Sequence, residues 1–145
     1  MKGWLLDTDI LSAFAPGRPS IPQGTAAWFD DQTEALYLST ITAAEIEAGI
    51  AELFRVGAAG RGNALRIRFE PILAIYADSV PSFDLAAAKL AGALSDAARS
   101  AGRHPGFADI AIAAIAKARE LVVVTLNQRR FDPLGVEVFN PFAPH

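Results

Sequence analysis

The apolar residues of this chain fall into two alternating rhythms, and that alternation restricts the fold more than any other feature. Gly3-Trp4-Leu5-Leu6, Leu36-Tyr37-Leu38 and Leu121-Val122-Val123-Val124 are short, nearly continuous apolar runs that read as buried strands. Val136-Glu137-Val138 is a weaker final strand, and Val80 to Phe83 a further short one. Helical stretches separate them. One turn is expected from Thr8 to about Phe14, then a loop at Pro16, Gly17, Pro19 and Pro22, and a short helix from Thr25 to Asp31. From Thr42 to about Phe54, residues Ile46, Ile50, Leu53 and Phe54 share one helix face. Gly57, Gly60 and Gly62 are expected to break that helix before another from Asn63 to Tyr76. Asp84 is a good cap for an alanine-rich helix running to about Ser100. Phe107 to about Arg119 is apolar almost all round, so that helix should be buried. Strands alternating with helices imply a parallel sheet covered on both faces, and ligands in such folds collect at the carboxyl ends of the strands.

With 145 residues, 52% of them hydrophobic, the chain can build one domain, residues 1–145, with a full core. No charged N-terminal region precedes an apolar stretch and a cleavage site, which points to the cytoplasm. No apolar run approaches the roughly 20 residues needed to span a bilayer. Cysteine is absent, so thiolate metal sites and disulfides are excluded. The histidines are His104 and His145, too few for the usual nitrogen and sulfur zinc centres. Oxygen-ligated magnesium or manganese remains. A net charge of −3 argues against binding nucleic acid through bulk charge. It does not exclude a nuclease, because carboxylates loaded with a divalent ion are locally positive.

Three acids lie where elements meet. Asp7 follows the first strand and can cap the Thr8 helix. Glu45 lies three residues after Thr42, the spacing of a capping box. Asp109 lies in the first turn of its helix, where the dipole favours a carboxylate. Each acid thus has a structural explanation, weakest at Asp109, because burying a carboxylate in an apolar helix is costly unless it is paired or binds metal.

In order, four blocks resemble those of a PIN domain, and more narrowly a VapC-like toxin ribonuclease. They are Leu5-Leu6-Asp7-Thr8-Asp9-Ile10-Leu11-Ser12; Ser39 to Ile50 around Glu45; Gly102 to Ala114 around Asp109; and Val123 to Phe131 followed by Leu134-Gly135-Val136 and Asn140-Pro141-Phe142. The resemblance spans the whole chain. It implies a three-layer α/β/α sandwich with a short parallel sheet, in which Asp7, Glu45 and Asp109 converge on Mg²⁺ or Mn²⁺. It also implies a toxin that cuts RNA and is held inactive by a small cognate antitoxin, and a homodimer.

Thr8, Thr125 and Asn127 are then candidates for orienting water or a phosphate oxygen, with Asn127 placed among the catalytic residues. Arg103, Arg129 and Arg130 are candidates for guiding an RNA backbone. The chain departs from the family pattern at Arg130, which stands where many relatives carry aspartate; Asp132 lies close by. Trp28 and Phe29, with Ile50 and Phe54 of the Thr42–Phe54 helix, are candidates for an apolar groove that takes an antitoxin segment.

Asp7-Thr8-Asp9 also resembles the opening motif of haloacid-dehalogenase-like phosphatases, with Asp7 as nucleophile and Asp9 as acid/base. That family needs a later lysine and then an acidic pair. The lysines here are Lys2, Lys89 and Lys117, and no acidic pair follows Val122–Val124. A phosphorylated receiver domain lacks its lysine after a late strand. A third alternative is a PIN fold kept for association without catalysis.

Overall fold

The structure, a computed structural model, describes residues 2–77 and 80–143. Among them, β1 (Gly3–Leu6), β2 (Leu36–Leu38), β3 (Leu121–Val124) and β4 (Val138–Phe139) form one parallel sheet in the order β2-β1-β3-β4. Leu6 is in register with Leu38 on one side and Val124 on the other. Successive residues face opposite sides of the sheet. Leu5 and Val123 therefore enter one core and Leu6, Leu36, Leu38 and Val124 the other.

The first core is covered by α5 (Leu85–Ser100) and α6 (Phe107–Arg119). Small Ala87, Ala91 and Ala98 let α5 approach α6, whose residues Ile110 to Ala116 are all buried. The second core is covered by α1 (Thr8–Ala13), α2 (Gln23–Asp31), α3 (Thr40–Arg55) and α4 (Ala59–Tyr76). The result is the α/β/α sandwich expected. No helix among the described residues is long and apolar enough to cross a membrane.

Three local expectations are corrected. Val80–Phe83 forms no strand. Pro81 lacks the N–H a ladder needs, and the segment instead ties to the start of α3, where Thr40 N donates to Pro81 O (3.1 Å) and Phe83 N to Thr40 Oγ1 (3.3 Å). Gly60 and Gly62 do not break a helix but lie inside α4; Gly57, at φ 82°, makes the turn. A Cβ at Gly62 would lie 2.8 Å from the Phe54 ring, so the glycine lets α3 and α4 close on each other.

The third correction matters for the site. α3 begins at Thr40, and its cap is Ser39, whose Oγ accepts from Thr42 N (3.1 Å). Thr42 is not the cap but a buried residue one turn in. Glu45 is therefore too far along the helix to close a capping box.

Candidate active site

β1 lies between β2 and β3: the chain passes from β1 to β2 on one side and then crosses to β3 on the other. This is the switch point at which parallel sheets open a crevice beyond their carboxyl ends. Asp7 closes β1 and Thr125 follows β3, side by side: Asp7 N donates to Val124 O (2.9 Å).

Asp7 is 2% exposed and divides its carboxylate between two tasks. Oδ1 accepts from Thr8 N (2.8 Å), which caps α1. Oδ2 accepts from Thr125 Oγ1 (3.0 Å) and from a terminal nitrogen of Arg130. The capping and cluster roles thus coexist in one side chain.

Thr125, fully buried, shares that one hydroxyl proton with Asp9 Oδ2 (3.1 Å), which accepts from Leu126 N (3.2 Å) as well. Asn127 N in turn donates to Thr125 Oγ1 (3.2 Å). The sequence points to Asp9 only as half of a phosphatase motif, yet it belongs to this cluster. The signal was present: with Asp7 as cap, Asp9 falls in the first helical turn, over the same strand ends. Burial, with the neighbouring Asp7 charge adding to it, pushes the Asp9 carboxyl up to about 6. Arg130 and the bonds from Thr125 and Leu126 oppose that rise.

Asp109 reaches the cluster from the first turn of α6, and Arg130 lies 3.7 Å from its Oδ1. Burial raises its carboxyl, Arg130 lowers it, and Asp7 and Glu45 raise it again. Glu45, freed from capping, is held by Thr8, whose Oγ1 donates to Glu45 Oε1 (2.6 Å). Thr8 Oγ1 also lies 3.3 Å from Thr42 Oγ1. Asp7, Thr8, Glu45, Asp109 and Thr125 therefore meet at one edge of the sheet.

Arg130 sits within the acidic cluster. Its NH2 also lies 3.9 Å from Asp9 Oδ2, and the guanidinium stands 5.3 Å from the centre of the Phe131 ring. Arg103 and Arg129 line a shallow pocket with His104, Pro105, Asp109, Arg130 and Pro133. The Asn127 side chain is exposed and joins no acid among the described residues, and Asp132 is likewise exposed and apart from the cluster.

The four candidate groove residues do not line one opening. Trp28 and Phe29 are half-buried in an aromatic cluster with Trp4, Phe14, Phe139 and Phe142. Ile50 is 1% exposed, and Phe54 lies against Gly62. The apolar cavity on this side, about 490 Å³, lies between α3 and α4. Ile46, Ile50, Leu65 and Phe69 form its floor, and Thr8 and Glu45 its end nearest the acids.

The donor set suits a hard divalent cation: four carboxylates, with no nitrogen or sulfur ligand among them. Two buried polar atoms, Asp9 Oδ1 and Arg130 Nε, have no hydrogen-bond partner among the described residues, and both belong to this cluster. No three acids among the described residues are grouped so that they could hold one ion. The positive charge at the centre is that of Arg130. The oxygen chemistry fits the ion, and the arginine stands among its prospective ligands.

Residues 4–135 match the PIN domain. The chain belongs to the PIN domain family. It is 41% identical over 140 residues to plasmid stability protein StbB of Pseudomonas syringae pv. tomato, covering 95% of this chain and 97% of that one. It is 34% identical over 142 residues to VapC ribonuclease Y4jK of Sinorhizobium fredii, covering 97% and 98%. It is 36% identical over 140 residues to toxin FitB of Neisseria gonorrhoeae, covering 95% and 97%. A chain in the crystal structure of FitAcB from the same organism superimposes with a TM-score of 0.81 at 36% identity, covering 95% of this chain and 97% of that one. These likenesses place the chain with the VapC- and FitB-like PIN proteins and replace the phosphatase reading of Asp7 and Asp9.

Proposed function

We propose that this PIN protein is a metal-dependent endoribonuclease and the toxin of a toxin–antitoxin pair. The observation that carries the reading is the convergence of buried Asp7 with Asp9, Glu45 and Asp109 at the switch point of the sheet. Relatives named as a ribonuclease and as a toxin, aligned over nearly the whole chain, support it.

Asp7, Asp109 and Glu45 would hold Mg²⁺ or Mn²⁺, with Asp9 beside them. When bound, the ion supplies Lewis acidity: it makes water nucleophilic at neutral pH and neutralises charge building on the phosphodiester. Thr125 fixes Asp7 and Asp9, and Thr8 fixes Glu45, so the carboxylates are oriented before substrate arrives. Asn127, at the rim, is assigned to orienting water or a phosphate oxygen. Arg103 and Arg129, which line one pocket beside Asp109, are assigned to the RNA backbone. Hydrolysis joins the water oxygen to phosphorus and breaks the phosphorus bond to the leaving oxygen; the water gives up one proton and the leaving oxygen takes one.

A small antitoxin is the expected partner, because the cavity between α3 and α4 ends at Thr8 and Glu45, so an apolar segment seated there would reach the acids. FitAcB and the Salmonella typhimurium VapBC complex, at 36% and 27% identity, are neighbours of the same kind. A homodimer completes the proposed assembly. Purified protein free of antitoxin should cleave RNA with Mg²⁺ or Mn²⁺ and stop with EDTA. Intact RNA together with no Mn²⁺ binding would instead favour a non-catalytic binding module.

A further inference from the structure

We propose that Arg130 is a built-in competitor of the divalent cation. In the metal-free protein its guanidinium holds Asp7, Asp9 and Asp109 together, and the ion must displace it to bind. The inference rests on the metal reading above and goes beyond it, because it assigns the site two alternative cations, one of them part of this chain.

The geometry carries the argument. Arg130 contacts Asp7 and lies 3.9 Å from Asp9 and 3.7 Å from Asp109, so it occupies the space the three carboxylates share. A guanidinium and a divalent ion cannot both stand there, because like charges repel strongly where water is scarce. Without a cation the gathered carboxylates would repel one another, so the arginine supplies what keeps them close.

Beyond its hydrogen bond to Asp7, the arginine is loosely held. The distances to Asp9 and Asp109 exceed those of hydrogen bonds, and buried Nε has no partner among the described residues. The side chain is also 36% exposed, at the edge of the pocket shared with Arg103 and Arg129. The next residue, Phe131, is 1% exposed and anchors the backbone of the 3-10 helix Gln128–Leu134. Displacement therefore needs rotamer changes in one side chain and no movement of the fold. An arginine turned outward adds its charge to those of Arg103 and Arg129, facing an RNA phosphate. Metal binding would thus both uncover the acids and complete the basic rim.

Two measurements on the full chain test this. Calorimetric titration with Mn²⁺ alone should show R130Q binding at least about tenfold more tightly than the unaltered protein. NMR of the unaltered protein labelled with ¹⁵N-arginine should show the Arg130 Nε resonance, identified by its loss in R130Q, moving to the position of exposed arginines at saturating Mg²⁺. Equal or weaker Mn²⁺ affinity in folded R130Q would overturn the inference while leaving the metal reading intact, as would an unmoved resonance at saturating Mg²⁺. If R130Q does not fold, the resonance, assigned from R130K, decides. Absence of Mn²⁺ binding to either protein would overturn the metal reading and this inference together.

Discussion

Arg130 and Asp7 are 123 residues apart in sequence, yet the guanidinium of one lies against the buried carboxylate of the other. The contact joins the end of β1 to the 3-10 helix that follows β3. It places a positive charge from the chain beside the acidic cluster.

Removing either central charge should abolish cleavage without unfolding the protein. Asp7→Asn keeps a good capping residue for α1, and Asp109→Asn keeps the shape of a half-buried side chain. Each is expected to lower kcat for RNA at least about a hundredfold, with the circular dichroism spectrum unchanged. Undiminished cleavage by both variants would sink the nuclease assignment.

Thr125 holds two carboxylates and one backbone amide through a single buried hydroxyl. Thr125→Val preserves shape and removes that group. Leaving buried partners unsatisfied costs about 1–3 kcal/mol, so Tm should fall by roughly 5 °C, and activity should fall with it. An unchanged Tm would show that the hydroxyl is not the link described here.

The metal-free protein should lose stability as pH rises from about 4 to above 6. The Asp9 carboxyl is raised from 3.8 to about 6 in the fold, so between those values the folded chain keeps a proton that the unfolded chain has released. The stabilisation is complete below 3.8 and is lost as pH passes 6. Asp9→Asn retains an oxygen for Leu126 N and cannot ionise. In EDTA it should flatten the pH dependence of urea unfolding in this window and gain about 1 kcal/mol at pH 7.5, solvent screening allowed for. An identical slope in the variant would contradict the assignment.

Arg103 and Arg129 are expected to act on RNA through phosphates. The double replacement Arg103→Ala with Arg129→Ala should raise KM and leave kcat within about twofold. For single-stranded RNA, each lost phosphate contact should reduce the slope of log affinity against log salt by about 0.7. A fall in kcat with an unchanged salt slope would place these arginines in another role.

Much of the architecture was legible because it depends on local pattern. The apolar run Leu121–Val124 and the all-round apolar helix Phe107–Arg119 formed where expected. Val80–Phe83 misled, because its composition suits a strand while Pro81 cannot complete a ladder. The start of α3 misled for a subtler reason. Ser39 and Thr42 are both acceptable caps, and only the folded backbone shows Ser39 accepting from Thr42 N, which releases Glu45 to Thr8. The groove residues do not share one opening: periodicity identifies an apolar face without showing what covers it. Trp28 and Phe29 are packed against Trp4, Phe14 and Phe142.

The sequence by itself determined the alternation of strands and helices, hence the parallel sheet, and placed Asp7 and Thr125 at its carboxyl edge. Hydrophobic periodicity and turn residues act between near neighbours, so they can be read along the chain. Only the tertiary structure decided that Asp9 joins the cluster, that Glu45 is free of capping and that Arg130 turns into the acids. Those outcomes depend on charges and hydrogen-bond partners that meet through space, where burial strengthens each interaction and distance along the chain has no influence.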